Sequence, residues 1–320
     1  MKYYLGIDLG GTNIVAGIVN EEFEIVAKAS TPTSLPRTAR EVVDDMIILS
    51  KKVVSRAGLT MDDMEWVGVG CPGSCDLDTG IITYSNNLEW YDVPLKNWLQ
   101  AGLGKDVYLD NDANAAAYGE SMAGAGKGAE MFAMITLCTG VGGGIVIGGK
   151  IYRGFNFAGA ELGHTVIEVD GRPCTCGRKG CFEAYASATG LIKTTKEVMS
   201  DYPDSIMHEI ASEYGKVNGR VAFDAKRKGD LGGVIAVDRY VKYLAEGVTN
   251  IINTFQPNVF CIGGGISNEK EYLLEPLKAR VTRDVYTRNS INNTDIKIAE
   301  LMGDAGLIGA ALLGFSDAKK

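Results

Sequence analysis

Histidine is scarce in this chain, with two in 320 residues, and positive charge is outweighed: 32 Lys and Arg stand against 40 Asp and Glu, a net charge of −8. That balance argues against a nucleic-acid surface, because duplex binding is dominated by Lys and Arg neutralising phosphates. A small anion held by backbone amides is still compatible with it. No run is long and apolar enough to span a bilayer, so no membrane partner is expected. "MKYYLGIDLGG" offers an apolar run that stops at Asp8, with neither the h-region nor the cleavage site of a signal peptide. The seven cysteines are odd in number, and Cys71, Cys75, Cys138 and Cys261 lie scattered through apolar or glycine-rich surroundings, which argues against a complete disulfide framework. A cytoplasmic, reducing setting is expected, where the crowded Cys174, Cys176 and Cys181 read as metal-binding or redox-active.

What is present is enough apolar residue, 46%, for one large core or two moderate ones, and two domains is the expectation. "YYLGIDLGGTNIVAGIVNEEFEIVAKAS" reads as a three-strand meander. "TAREVVDDMIILSKKVVSRAG" follows as an amphipathic helix stopped by Gly58. "EWVGVGCPG" and "KDVYLDND" read as strands, and "ANAAAYGESMAGAG" as a helix after the second. "IDLGGTNIVAGIV" and "ITLCTGVGGGIVIGG" share one plan, strand, Gly/Thr turn, strand, about a domain length apart. "AVDRYVKYLAEGVTNIINTF" carries a strong helical stripe, "NVFCIGGGIS" is a buried strand opening into a glycine turn, and "DAGLIGAALLGF" a closing helix. No low-complexity linker separates the halves, so a short hinge is expected near residues 112 to 125. The expected division is a small domain at 1–115, completed by the closing helix at about 303–320, and a larger domain at 116–302 carrying loop 164–181.

Three Gly/Thr turns follow strands. In "DLGGTN", Gly10 and Gly11 remove Cβ atoms that would keep a phosphate from the backbone, Thr12 and Asn13 add donors, and Asp8 is suited to a hydrated Mg²⁺. Alone, this motif is as good a hairpin turn. "TLCTGVGGG" and "CIGGGIS" are each weak evidence, since glycine clusters usually mark turns. Together the three fit a nucleotide in a cleft between similar halves, although neither GxGxxG nor a Walker lysine motif is present. At "YLDNDANAAAYGE", Asn111 and Asp112 stand where a strand hands over to a helix. They read as ordinary capping residues, or beside a nucleotide as a base for a substrate hydroxyl.

In "GAELGHTVIEV", Glu161 and His164 are three apart and share a face if the backbone there is helical. His164-x9-Cys174-x-Cys176-x4-Cys181 has the four N/S ligands of a Cys₃His zinc site. Four protein ligands leave zinc no open position, so the ion is expected to be structural. It would hold Glu161, His164 and Glu183 as one wall of a pocket.

Together these residues resemble the ROK family of sugar kinases and sugar-responsive regulators. The most specific part is "ELGH" followed by "CTCGRKGCFE", with "DLGGTN", "TLCTGVGGG", "VGVGCPG", "SNNLEW" and "NDANAAAYGE" matching other family segments. The resemblance implies an α/β, two-domain actin/hexokinase-like (ribonuclease H-like) fold with a cleft between the domains. It implies Asp112 as the base toward a sugar hydroxyl, with Gly73, Asn87, Asn111, Asp112, Glu161, His164 and Glu183 binding the sugar. Asp8, Gly10, Gly11, Thr12, Asn13, Thr139, Gly140, Gly263, Gly264 and Gly265 would surround Mg-ATP. "EAYASATGL" resembles the glucokinase branch, and Cys138 departs from the family's glycine. A homodimer or dimer-built tetramer is the family expectation.

An ATP-dependent hexose kinase acting on glucose is thus the leading expectation. The alternatives are a kinase for N-acetylmannosamine, N-acetylglucosamine or fructose, or a non-catalytic sugar-binding member. A repressor needs a DNA-binding domain, for which a first phosphate motif starting at Asp8 leaves no room.

Overall fold

The computed structural model describes residues 1–317. The elements are β1 (Tyr3–Leu9), β2 (Asn13–Asn20), β3 (Ile25–Pro32), α1 (Ala39–Arg56), β4 (Met64–Cys71), β5 (Ser74–Asp76), β6 (Ile81–Ser85), β7 (Trp90–Val93), α2 (Leu95–Leu103), β8 (Val107–Asn111) and α3 (Asp112–Ala123). Then come β9 (Met131–Leu137), β10 (Val141–Ile147), β11 (Lys150–Ile151), α4 (Glu183–Ala186), α5 (Ala188–Asp201), α6 (Met207–Glu213) and α7 (Val221–Arg227). The chain closes with α8 (Leu231–Phe255), β12 (Val259–Gly263), α9 (Glu271–Asp284), β13 (Asp295–Ile298) and α10 (Ala305–Asp317).

The duplicated plan read from the sequence is visible in the strand orders. One sheet runs β3-β2-β1-β4-β8 and another β11-β10-β9-β12-β13, the same order built twice. In the first, β1–β2 and β2–β3 are antiparallel, while β1–β4 and β4–β8 are parallel. In the second, β10–β11 is antiparallel and β12–β13 parallel. Short meander strands close by tight turns, whereas the parallel strands need helical crossovers, which α1, α2 and α9 supply. A third, three-stranded sheet of β5, β6 and β7 was not foreseen, because its strands are short and mostly exposed on one face.

The helix at α1 forms as its pattern demands. Thr38 caps it in a capping box with Glu41, and Val42, Val43, Met46, Leu49, Val53 and Val54 are buried, each burial stabilising by roughly 2 kcal/mol. β1 is buried along most of its length because α10 packs directly on it. A Cβ at Gly6 would lie 2.4 Å from Leu307 O, and one at Gly68 1.8 Å from Ala310 O, so these strand glycines let the helix backbone touch the sheet.

The chain forms two compact units. The first comprises Met1–Ala133, Gly144–Ala160 and the chain from Glu300; the second comprises Met134–Gly143 and Glu161–Ala299. This differs from the expected division at residue 115 with a hinge at 112–125. Most of that stretch is helix α3, Asp112–Ala123, and the chain leaves the first unit only after Ala133. The reason is helix packing: a Cβ at Gly119 would sit 2.3 Å from Ala305 O and one at Gly309 1.7 Å from Ala115 O, so α3 and α10 approach backbone to backbone.

Candidate active site

In the first unit, the end of β1, the end of β8 and the start of α3 bring carboxylates together. Asp8 lies in β1 paired with Gly70 of β4, and β4 in turn pairs Cys71 with Asn111. Asn111 is the N-cap of α3: its Oδ1 accepts from the N–H groups of Ala113 (2.9 Å) and Asn114 (3.4 Å). Its Nδ2 donates to Gly73 O at 3.1 Å. The capping and functional readings of Asn111 are therefore compatible, since an amide NH₂ has a second donor to spare. Gly73 has φ 111°, and a Cβ there would meet Tyr84 O at 2.2 Å, so no other residue fits this turn.

The loop after β1 is held by its own backbone. Gly10 N–H donates to Asn13 O at 2.9 Å, and Thr33 Oγ1 donates to Gly10 O at 2.7 Å. Gly11, Thr12 and Asn13 are left exposed. Gly10 and Gly11 do not have positive φ, so what they contribute is space rather than conformational freedom. Asn87 adjoins this loop, its O 3.7 Å from where a Gly11 Cβ would be. It also lines a pocket of about 550 Å³ between Leu35–Ala39 and Leu88–Val93, which does not include Asp8 or Asp112. Thr33 was not foreseen, because its partner is distant in sequence.

Burial pushes the Asp8 carboxyl up to about 6, with the charge of Asp112 adding to the effect. Burial likewise raises Asp112, against the lowering by the Ala113 N–H bond. A raised carboxyl is a cost of folding in the charged form. Between about pH 4 and pH 6 the folded chain keeps the Asp8 proton that the unfolded chain has lost, so this group's contribution to stability falls as pH rises through that window. Without added Mg²⁺, Asp8→Asn should therefore be more stable than wild type, by on the order of 2 kcal/mol above pH 6 and by little at pH 4. Melts that do not separate with pH would show that Asp8 is not strained by burial.

In the second unit, the turn between β9 and β10 carries Thr139 and Gly140. Cys138 N–H donates to Gly140 O (3.0 Å), Ala188 N–H to Cys138 O (2.8 Å), and Thr189 Oγ1 to Thr139 O (2.9 Å). Glu183 joins this turn, its Oε2 accepting from Val141 N–H at 2.9 Å. Its Oε1 lies 3.3 Å from Thr175 Oγ1 and 3.7 Å from Cys174 Sγ. One carboxylate thus spans the Gly/Thr turn and the cysteine loop. Cys138 is exposed and its φ is not positive, so its backbone conformation does not call for a glycine. Gly264 has φ 83° and lies against Leu137, a Cβ there meeting Leu137 N at 2.5 Å. Around Gly265 there is open space.

Glu161 precedes a single 3₁₀ turn, Leu162–His164, and His164 N–H donates back to Glu161 O at 3.1 Å. Gly163 allows this turn to press on β10, since a Cβ there would lie 2.2 Å from Val141 O. His164, Cys174, Cys176 and Cys181 converge, with all four ligand atoms within 4.8 Å of one another. His164 Nδ1 is 3.7 Å from Cys174 Sγ, and Cys176 Sγ is 3.6 Å from Cys181 Sγ. Tetrahedral zinc with Zn–S bonds of about 2.3 Å has edges of roughly 3.8 Å, so the donor set fits the ion. Burial raises Cys181 to about 12, an obstacle to a lone thiolate that coordination would remove. No disulfide joins any of the described cysteines, and no helix among the described residues is long and apolar enough to cross a membrane.

A family model described as "ROK family" matches residues 4–316. The chain is 37% identical to a glucokinase of Thermotoga maritima, over 96% of this chain and 95% of that one. It is 36% identical to a glucokinase of Halalkalibacterium halodurans, over 98% and 94%. A crystal structure of a ROK family glucokinase from Streptomyces griseus, in complex with glucose and AMPPNP, superposes with a TM-score of 0.81 at 34% identity, covering 97% of this chain and 98% of that one.

Proposed function

The chain belongs to the ROK family, and from that premise we propose that it is an ATP-dependent glucokinase whose base is Asp112. The fold is actin/hexokinase-like α/β, and the enzyme is an ATP:hexose phosphotransferase. The observation that carries the assignment is the likeness to glucokinases over nearly the whole chain, with Asp112 present at the start of α3.

Phosphoryl transfer asks a protein for positioning, charge stabilisation and a base for the attacking hydroxyl. Asp112, half-buried and with its Oδ1 accepting from Ala113 N–H, takes the proton of the glucose 6-hydroxyl. Asn111 offers its remaining amide donor to the sugar, and Gly73 and Asn87 supply further contacts from the same unit. Glu183 keeps lone pairs for sugar hydroxyls beyond those given to Val141 and Thr175. Glu161 and His164 bind the same sugar, His164 through Nε2 because Nδ1 faces the thiols. Pairing buried acceptors with hydroxyls is how the site discriminates among hexoses, since a missing partner leaves a polar group unsatisfied. Gly10 to Asn13, Thr139, Gly140 and Gly263 to Gly265 cradle the nucleotide phosphates with backbone N–H groups.

Asp8 would hold Mg²⁺, which neutralises phosphate charge when bound; the raised Asp8 and Asp112 form an electronegative pair suited to a cation. Zinc would be structural, held by His164, Cys174, Cys176 and Cys181. Metal analysis is expected to find about one zinc per chain, and Cys176→Ser to lower the melting temperature and raise the glucose KM on the order of tenfold together. A folded, zinc-free variant with unchanged glucose KM would separate the loop from the sugar site. The odd number of cysteines, which argues against a complete disulfide framework, supports a cytoplasmic setting, and the family resemblance supports a homodimer or dimer-built tetramer.

The test is ADP release with Mg-ATP and a panel of glucose, mannose, fructose, N-acetylglucosamine and N-acetylmannosamine. Strong preference for glucose is expected. Preference for another sugar replaces the substrate, and silence across the panel overturns the kinase reading.

A further inference from the structure

Behind the proposed base lies an ion network that the sequence did not reveal. Asp110, three residues after Val107 in β8, is 2% exposed. Its Oδ2 accepts from Arg153 Nε at 2.6 Å, and Arg153 Nη1 reaches Asp317 Oδ1 at 2.7 Å, near the end of α10. The other oxygen, Oδ1, accepts from Asn111 N–H and from Asn114 Nδ2, both at 2.8 Å. Asn111 and Asn114 flank Asp112 in the chain, so one buried carboxylate grips the backbone before the base and the helical turn after it.

We infer that Asp110, Arg153 and Asp317 form a positioning network that sets the orientation of Asp112 for proton transfer. A buried ion pair is weak evidence for stability, because apolar residues of similar volume often serve as well. The placement of this one gives it another use. Burial works to neutralise Asp110, and Arg153 opposes it by charge and hydrogen bond, keeping an acceptor for both flanking donors. Arg153 suits this task because its planar fork bonds two carboxylates at once, through Nε and Nη1, which a lysine cannot reproduce. The carboxylates come from β8 and α10, so the last described residue of the chain is tied to the start of the helix that bears the base. None of the three is placed against sugar or nucleotide, so they act through Asp112.

The inference rests on Asp112 as the base, so Asp112→Asn is measured in parallel. Arg153→Met is expected to lower kcat on the order of tenfold or more, with the KM values for glucose and ATP within about twofold, since a misplacement of about 1 Å costs up to a hundredfold. Arg153→Lys should recover part of kcat. Asp317→Asn, at a position 28% exposed and therefore tolerant, should lower kcat several-fold with KM unchanged, and it carries the test if Arg153→Met does not fold. Kinetics are read well below each variant's melting temperature. A fall in melting temperature with kcat intact, or a rise in glucose KM with kcat intact, overturns the inference while leaving Asp112 in place. Normal turnover by Asp112→Asn overturns both.

Discussion

Asp112→Asn is expected to lower kcat by a hundredfold or more, because loss of a positioned general base costs about that much. The substitution should leave the fold intact. Asn can keep the acceptor that Asp112 presents to Ala113 N–H at 2.9 Å, and Asn111, not Asp112, caps α3. It also removes a half-buried charge that desolvation disfavours and whose field raises Asp8. The variant should thus melt at or above the wild-type temperature without Mg²⁺, and its Asp8 carboxyl should titrate lower. Glucose should still bind, as judged by ligand-induced stabilisation, since Asn111, Glu161, His164 and Glu183 are unchanged. Slow turnover with retained binding and stability is the pattern of a lost base. Near-normal turnover would remove Asp112 from the chemistry.

Much of this arrangement was legible because it is local. The meander of β1 to β3, the stripe of α1, the strand of β8 meeting the Ala-rich α3 and the four ligands around the cysteine loop each depend on neighbours in sequence, where periodicity and spacing speak. The doubled strand order was legible too, since each copy repeats strand, Gly/Thr turn, strand. The unit boundary was not: α3 looks like any Ala-rich helix, and its allegiance is decided by Gly119 and Gly309, which meet across almost two hundred residues of chain. The network of Asp110, Arg153 and Asp317 was hidden for the same reason. A charged residue at the end of an apolar strand was a signal that it needed a partner, but nothing local names Arg153. β5 to β7 escaped because strands of three to five residues with exposed side chains carry little pattern.

Gly140→Ala is expected to cut kcat/KM for glucose on the order of a hundredfold with little loss of stability. The added Cβ would fall 2.3 Å from Glu183 Oε2 and 3.2 Å from its Cδ, and no other group stands as close. Because the obstacle is the far end of a flexible side chain, the fold can yield by swinging the carboxylate away, which spares the core. What is lost is the bond from Val141 N–H, at 2.9 Å, and with it the tie between the Gly/Thr turn and the cysteine loop. Glu183 would then be misplaced for the sugar, and the turn would be freed to move under the nucleotide, so both KM values should rise. Cys138→Gly is the control. That residue is exposed and its backbone N–H and C=O are already bonded to Gly140 and Ala188, so restoring the glycine should change kinetics within about twofold. Gly140→Ala with wild-type kinetics would mean that Glu183 has another position from which it serves the sugar equally well, and the single carboxylate would no longer account for how the two loops act together.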